Sequence, residues 1–167
     1  MNPILSAGLL IGVLCGVWTF VMGFTGWYKD PTLNYAFFLV ILIEFAGLYW
    51  GLKQTAAEGR SYGAQVLAGT MMSIVAGVIV IGSSLLFTMV AFPDYFRELE
   101  AMQRHLLAAQ GKSPGEIDTE VRAMAAMATP MAQAMSGFIG TLVTGILASA
   151  VIAIRVRAPK RSAPAPV

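Results

Sequence analysis

The sequence predicts an all-α polytopic membrane protein, with four transmembrane helices and an amphipathic helical hairpin between spans three and four. Three observations predict it. Of 167 residues, 57% are hydrophobic and only 12% are charged. A soluble domain carries about 25% charged residues, and the mean hydropathy here is +0.71. Four apolar runs approach or exceed the roughly 20 helical residues that cross a bilayer. Between the last two runs lies Phe92–Ala134, the one long polar piece, which holds half of the charged side chains.

The first run is about Ile4–Phe24. No Lys or Arg precedes it, and it is longer than a typical signal core, so it reads as a span rather than a cleaved signal. Gly8, Gly12 and Gly16 make a stripe with a small residue at every fourth position. In lipid such a stripe lets another helix come close, because the gain there is packing rather than escape from water. Trp27 and Tyr28 follow as an interface belt, then Lys29, Asp30 and Pro31 as a short turn.

The second run, about Tyr35–Leu52, contains Glu44 near its middle. Gly47 and Gly51 share its helix face. Tyr49, Trp50 and Lys53 mark the far interface, and Thr55–Gly63 is a polar loop. The third run, about Ala64–Ala91, is long enough to tilt or project beyond the lipid. It repeats the small spacing at Gly69, Ser73 and Gly77. The fourth, about Met135–Ile154, has Gly137, Thr141, Gly145 and Ser149 in the same register. The tail, 155–167, is basic and then Pro/Ala-rich, and is expected to be disordered beyond the membrane surface.

Pro93 opens the polar insert. Tyr95, Leu99, Met102 and Leu106 recur at helical spacing, and Gly111 stops the run. Ser113-Pro114-Gly115-Glu116 then restarts the chain as a capping box with Pro at the first helical position. Ile117, Val121, Met124 and Met131 continue an apolar stripe. The two helices predict a hairpin over about 93–130, whose stripes are the candidate partner-binding surface. Glu100–Arg104 and Asp118–Arg122 are spaced as i,i+4 ion pairs on its surface.

Four spans place both termini on one side. Basic residues cluster at Arg155, Arg157, Lys160 and Arg161 and at Lys53 and Arg60. The insert carries four basic against six acidic residues. The positive-inside rule therefore predicts cytoplasmic termini and a periplasmic hairpin, in an inner membrane.

Composition and motifs also exclude function classes. A net charge of +2, with no basic run interleaved with aromatics, does not suit nucleic acid. Cys15 is the single cysteine, so neither an internal disulfide nor a Cys-based metal site can form. His105 lies on the insert without further ligands, as a solvated side chain. Met102, Met124, Met127, Met131 and Met135 could in chemistry hold a soft metal, but their helical spacing fits a packing face. No G-x-S-x-G, Walker, Rossmann or H-E-x-x-H pattern is present, and Asp94 has no second carboxylate to pair with. No catalytic residue, cofactor or metal is assigned, and no enzyme is expected.

Glu44 is the sharpest candidate. A charged side chain at the bilayer centre costs about 2.5–3.5 kcal/mol on insertion scales, so it faces the bundle or water. No Lys, Arg or His lies in another span. Its available partners are hydroxyls: Thr70, Ser73, Ser84, Thr141 or Thr144. Two readings stand, a proton or cation site and a protonated hydrogen-bond donor between helices.

Met1-Asn2-Pro3-Ile4-Leu5, Ser61-Tyr62-Gly63-Ala64-Gln65, Phe92-Pro93-Asp94-Tyr95-Phe96, Gly111–Ile117 and Phe138–Ser149 together resemble a bacterial membrane family described as domain of unknown function 4199. The similarity runs to about Ile154. It implies a four-span helical protein with a helical insert before the last span, and lends no catalytic residue. The Ala- and Met-rich second insert helix and the Pro-rich tail depart from the pattern. The reading that follows is a non-enzymatic accessory or structural subunit, partnered in the lipid bilayer by another membrane protein or by its own copies. The surplus of small-residue stripes suggests it. The alternative is a small proton- or cation-coupled transporter centred on Glu44, although no internal repeat is visible.

Overall fold

The computed structural model describes residues 2–125 and 128–156. Among them are six α-helices and no strand. Four helical stretches are long and apolar enough to cross a membrane: Pro3–Thr25, Leu33–Ala56, Tyr62–Ala91 and Pro130–Val156.

Helix α1, Pro3–Thr25, starts where the Asn2 side chain accepts from the Ile4 N–H at 3.0 Å. It stops at Gly26, whose φ of 72° is left-handed and suits a residue without a Cβ. A 3-10 turn, Trp27–Lys29, and an Asp30 carboxylate that accepts from Thr32 and Leu33 turn the chain back. The second span enters through a 3-10 segment, Leu33–Phe38, and becomes α-helical as α2, Leu39–Ala56.

Helix α3, Tyr62–Leu86, ends in a π turn, Phe87–Ala91. The Phe92 N–H reaches the Phe87 carbonyl at 2.8 Å, five residues back. This wider turn brings the Phe87 and Phe92 rings to 4.6 Å between centroids. The insert follows as α4, Tyr95–Ala109, and α5, Pro114–Ala125.

Helix α6, Pro130–Val156, begins five residues before the expected Met135. Pro130 takes the first helical position, and the Thr129 hydroxyl caps it by accepting from Ala132. Met131 therefore belongs to the fourth span and not to the stripe of the second insert helix. Met127, part of the methionine cluster, and the tail 157–167 lie outside the described residues.

The core joins Ala7, Ile11 and Cys15 of α1 to Leu48 and Leu52 of α2. Ala68, Met72 and Ala76 of α3 and Ile152 of α6 complete it. Helix α3 packs against both α1 and α6, and α2 closes the bundle against α1 and α6. The small residues make this possible. Gly8, Gly12 and Gly16 lie against Val75, Ile79 and Ser83 of α3. Gly47 and Gly51 admit Ile11 and Ala7 of α1, Gly69 and Gly77 admit Ser149 and Phe138 of α6, and Gly137 faces Val80. These stripes are thus filled from within the same chain. The accessory-subunit expectation leaned on a surplus of close-packing surface, and these glycines have neighbours within the chain.

Candidate functional site

Glu44 sits on α2 with 4% of its surface exposed. The Ser73 hydroxyl of α3 donates to its Oε1 at 3.3 Å, and the Thr144 hydroxyl of α6 lies 2.5 Å from its Oε2. Two of the five hydroxyls expected from the sequence are thus its partners, from two different helices. Room for them comes from Gly145: a Cβ there would stand 2.7 Å from Glu44 Oε1. None of the ion pairs among the described residues includes Glu44.

A proton count at Thr144 is informative. Its hydroxyl also lies 2.8 Å from the Gly140 carbonyl. A hydroxyl has one proton to give. If Glu44 is an acid, its O–H donates to Thr144 and Thr144 donates to Gly140. If Glu44 is a carboxylate, Thr144 turns to donate to it. The arrangement satisfies both states by one rotation of a hydroxyl.

Glu44 borders a cavity of about 350 Å³ between all four spans. Its polar wall is Thr19, Ser83, Ser84, Gln133, Ser136, Thr141 and Thr144; its apolar wall includes Phe37, Phe38, Val40, Ile41 and Val80. Thr19 and Ser83 give their hydroxyls to helix carbonyls. A second chamber of about 220 Å³ shares Thr19, Phe37, Phe38, Ser84 and Gln133 and reaches Tyr28, Asn34, Phe87 and Tyr95. The two adjoin along these shared walls, and together they mark a polar path from the level of the first loop to Glu44.

An aromatic cluster closes the α1–α3 side of that path. Tyr28, 4% exposed, meets Phe87, Phe92 and Tyr95 at centroid distances of 6.4, 6.2 and 5.2 Å. The Tyr28 hydroxyl donates to Glu98 of α4, and the Lys29 ammonium reaches the same carboxylate at 2.7 Å. The first loop is thereby tied to the insert. Burial, then the bond to Glu98, pushes the Tyr28 phenol up to about 12, while Lys29 and then Tyr28 hold the Glu98 carboxyl below its usual range.

The insert residues fare unevenly. Tyr95 packs into the aromatic cluster and is not a free docking residue. Leu99, Met102, Leu106 and Ile117 are half-buried, Val121 is buried and Met124 is exposed. The side chain that meets Val121 in burial is Leu107, which the stripe read from the sequence omits. Arg104 bonds Glu100 at 3.0 Å as the spacing predicts, but Asp118 pairs across to Arg104 at 2.6 Å instead of to Arg122. Glu116 reaches back to accept from the Ser113 N–H, one half of the expected capping box, and the Ser113 hydroxyl donates to the same carboxylate. His105 is exposed, and among the described residues no group of His, Cys, Asp and Glu could hold a metal.

Of the α6 hydroxyls on the cavity wall, Thr141 and Thr144 were among the partners expected from the sequence and Ser136 was not, although a signal exists. Ser136, Gly140 and Thr144 recur every fourth residue, one position before the stripe Gly137, Thr141, Gly145. The first row lines the cavity; of the second, Gly137 and Thr141 line it as well, and Gly137 and Gly145 also pack on α3.

A search against known proteins adds one finding. The family described as "Protein of unknown function (DUF4199)" matches residues 6–158. No curated protein and no solved structure matches the chain.

Proposed function

The chain belongs to the DUF4199 family, and from that premise we propose that it is a small, non-enzymatic, proton- or cation-coupled membrane protein with Glu44 as its exchange site. The observation that carries this is the placement of the only carboxylate in the spans beside a hydroxyl-lined cavity, with a proton relay at Thr144. A carboxyl used only as structural glue needs no cavity beside it. The protein would lie in a bacterial inner membrane, with cytoplasmic termini and the α4–α5 pair outside, as the basic residues at the span ends support.

The test is flux in proteoliposomes with a pH-sensitive dye inside and an imposed membrane potential. Wild-type protein should move protons or a monovalent cation, and Glu44→Gln should fold normally yet move none. Flux equal in both proteins, or equal to that of empty liposomes, would remove Glu44 from the role.

A second reading is the accessory subunit, partnered by another membrane protein or a second copy. Met124 supports it: the residue is 48% exposed on a helix whose main packing is against α4. Co-purification in mild detergent, compared between wild type and Met124→Ser, tests that reading.

A further inference from the structure

The cavity beside Glu44 has an exposed edge on two of the helices that are long and apolar enough to cross a membrane. Its exposed wall residues are Asn34, Phe37, Phe38 and Ile41 at the start of the second span and Ser136 and Gly140 on α6. The opposite wall is sealed by Tyr28, Phe87 and Thr88, all buried. The second span enters through the 3-10 segment Leu33–Phe38, and a Cβ at Gly140 of α6 would meet nothing within 4 Å. Ile41 and Gly140 are both exposed and both line the cavity that Glu44 borders, so they mark its edge on the outer surface of the bundle.

We propose that Glu44 takes its ligand laterally from the membrane, and that the ligand is an alkylammonium amphiphile. This rests on Glu44 being the working site. The chemistry follows from what the cavity offers. It has one carboxyl group, one thiol at Cys15, and no cation of the protein to neutralise the carboxylate. It has hydroxyls and an amide for the remaining N–H donors of an ammonium head. Phe37 and Phe38 are exposed aromatic residues on the cavity wall, of the kind that attracts a cation. About 350 Å³ sits at the low end of ligand pockets. It holds a head group and a few carbons, so the rest of the chain stays in lipid. Binding is an exchange: the Glu44 carboxyl gives up its proton by way of the hydroxyls to water at the exposed Asn34 end, and the carboxylate pairs with the ammonium. Only the O–H bond breaks, and no electron is transferred.

The experiment uses the full chain in phosphatidylcholine nanodiscs and two carbodiimides that add to protonated carboxyl groups. Dicyclohexylcarbodiimide partitions into lipid; the ethyl-dimethylaminopropyl reagent stays in water. Peptide mass spectrometry reads modification of Glu44. The lipid-soluble reagent should label Glu44 and the water-soluble one should not. Dodecylammonium should abolish the labelling, and dodecyl sulfate at the same mole fraction should leave it. Gly140→Trp should block labelling without lowering thermal stability, and Ile41→Trp, at an exposed position on α2, should do the same. Labelling by the water-soluble reagent that survives both Trp variants would overturn lateral entry and leave the Glu44 site standing. Labelling that dodecylammonium does not affect would overturn the ligand class. No labelling by either reagent would show that edge closed and overturn the inference, whatever the flux assay reports.

Discussion

Gly145 and Ser73 touch across the α3–α6 seam, where a Cβ on Gly145 would lie 1.9 Å from the Ser73 hydroxyl and 2.6 Å from its Cβ. That contact sets the distance at which Ser73 reaches Glu44. Gly145→Ala should therefore push the two helices apart, costing about 1–3 kcal/mol as overpacking does. Gly140→Ala, one turn away and facing open space, should be neutral or stabilise by up to about 1 kcal/mol through helix propensity. Thermal unfolding in detergent compares the two. Equal melting would show that the seam is looser than these distances.

Gly12 makes the same argument at the α1–α3 seam. Its Cβ would stand 2.7 Å from Ile79 Cβ and 2.9 Å from the Ala76 carbonyl. Gly12→Leu should destabilise the bundle severely, since backbone cannot yield as a side chain can. Leu10→Val, at an exposed position, should change melting little. Two variants with the same melting curve would refute the seam.

Stability should also respond to Glu44. Glu44→Gln keeps the shape and one donor for Thr144, so its cost should stay within about 1 kcal/mol. Glu44→Ala enlarges the cavity and leaves Ser73 and Thr144 without their shared partner, a loss of about 1–3 kcal/mol. The reverse ranking would show that the charge itself, rather than the hydrogen bonds, holds the helices.

Much of this architecture was legible because lipid permits so little. A span must be continuous, apolar and helical to satisfy its own backbone. Close helix approach needs small residues at fixed intervals, and a lone carboxyl stands out. Glu44, the four spans and the glycine stripes were readable for those reasons. What a stripe meets is not readable, since Gly12 looks the same whether it faces Ile79 of its own chain or a partner. Nor does composition announce the π turn at Phe87–Ala91, because it depends on rings from three segments converging. Leu107 was missed because α4 meets α5 on a face one residue round from the Tyr95–Leu106 stripe. The start of α6 was misplaced because the Ala-rich approach hides it. Pro130, a first-turn signal, was the clue.

The loop-to-insert tie should have a pH window. The Glu98 carboxyl is held below its usual range by Lys29 and then Tyr28. Its contribution is complete above the ordinary carboxylate pKa and is lost as pH falls through the depressed value. The Tyr28 phenol is raised from 10.0 to about 12, so its contribution is complete below 10.0 and is lost as pH rises through about 12. Helix α4 should therefore stay docked from weakly acidic to weakly alkaline pH and loosen at both ends. With Glu98 35% exposed, the effect should be no more than about 1 kcal/mol. Hydrogen exchange of α4 amides against pH measures it. Tyr28→Phe should remove the alkaline loss and keep the acid one. An unchanged alkaline limb would place the titration elsewhere.

The final prediction separates the internal packing of the insert from any docking role. Leu107 and Val121 are 6% and 3% exposed, one on each helix of the α4–α5 pair. Polar links flank them: Arg104 to Asp118, and Lys112 to Glu120 at 2.5 Å. Those ion pairs are partly exposed and contribute little alone. The apolar contact should dominate, although two short helices bury too little to be stable without further support. Val121→Ser should therefore separate α5 from α4 and expose both to protease, while the four spans keep their melting temperature. Met124→Ser removes an exposed side chain and should leave the pair intact. If Met124→Ser nevertheless strips a co-purifying protein or a second copy from the chain, its thioether is a contact to that partner. If Val121→Ser lowers the melting of the spans themselves, the pair is an internal cap on the bundle, and docking through Met124 has no independent element to act from.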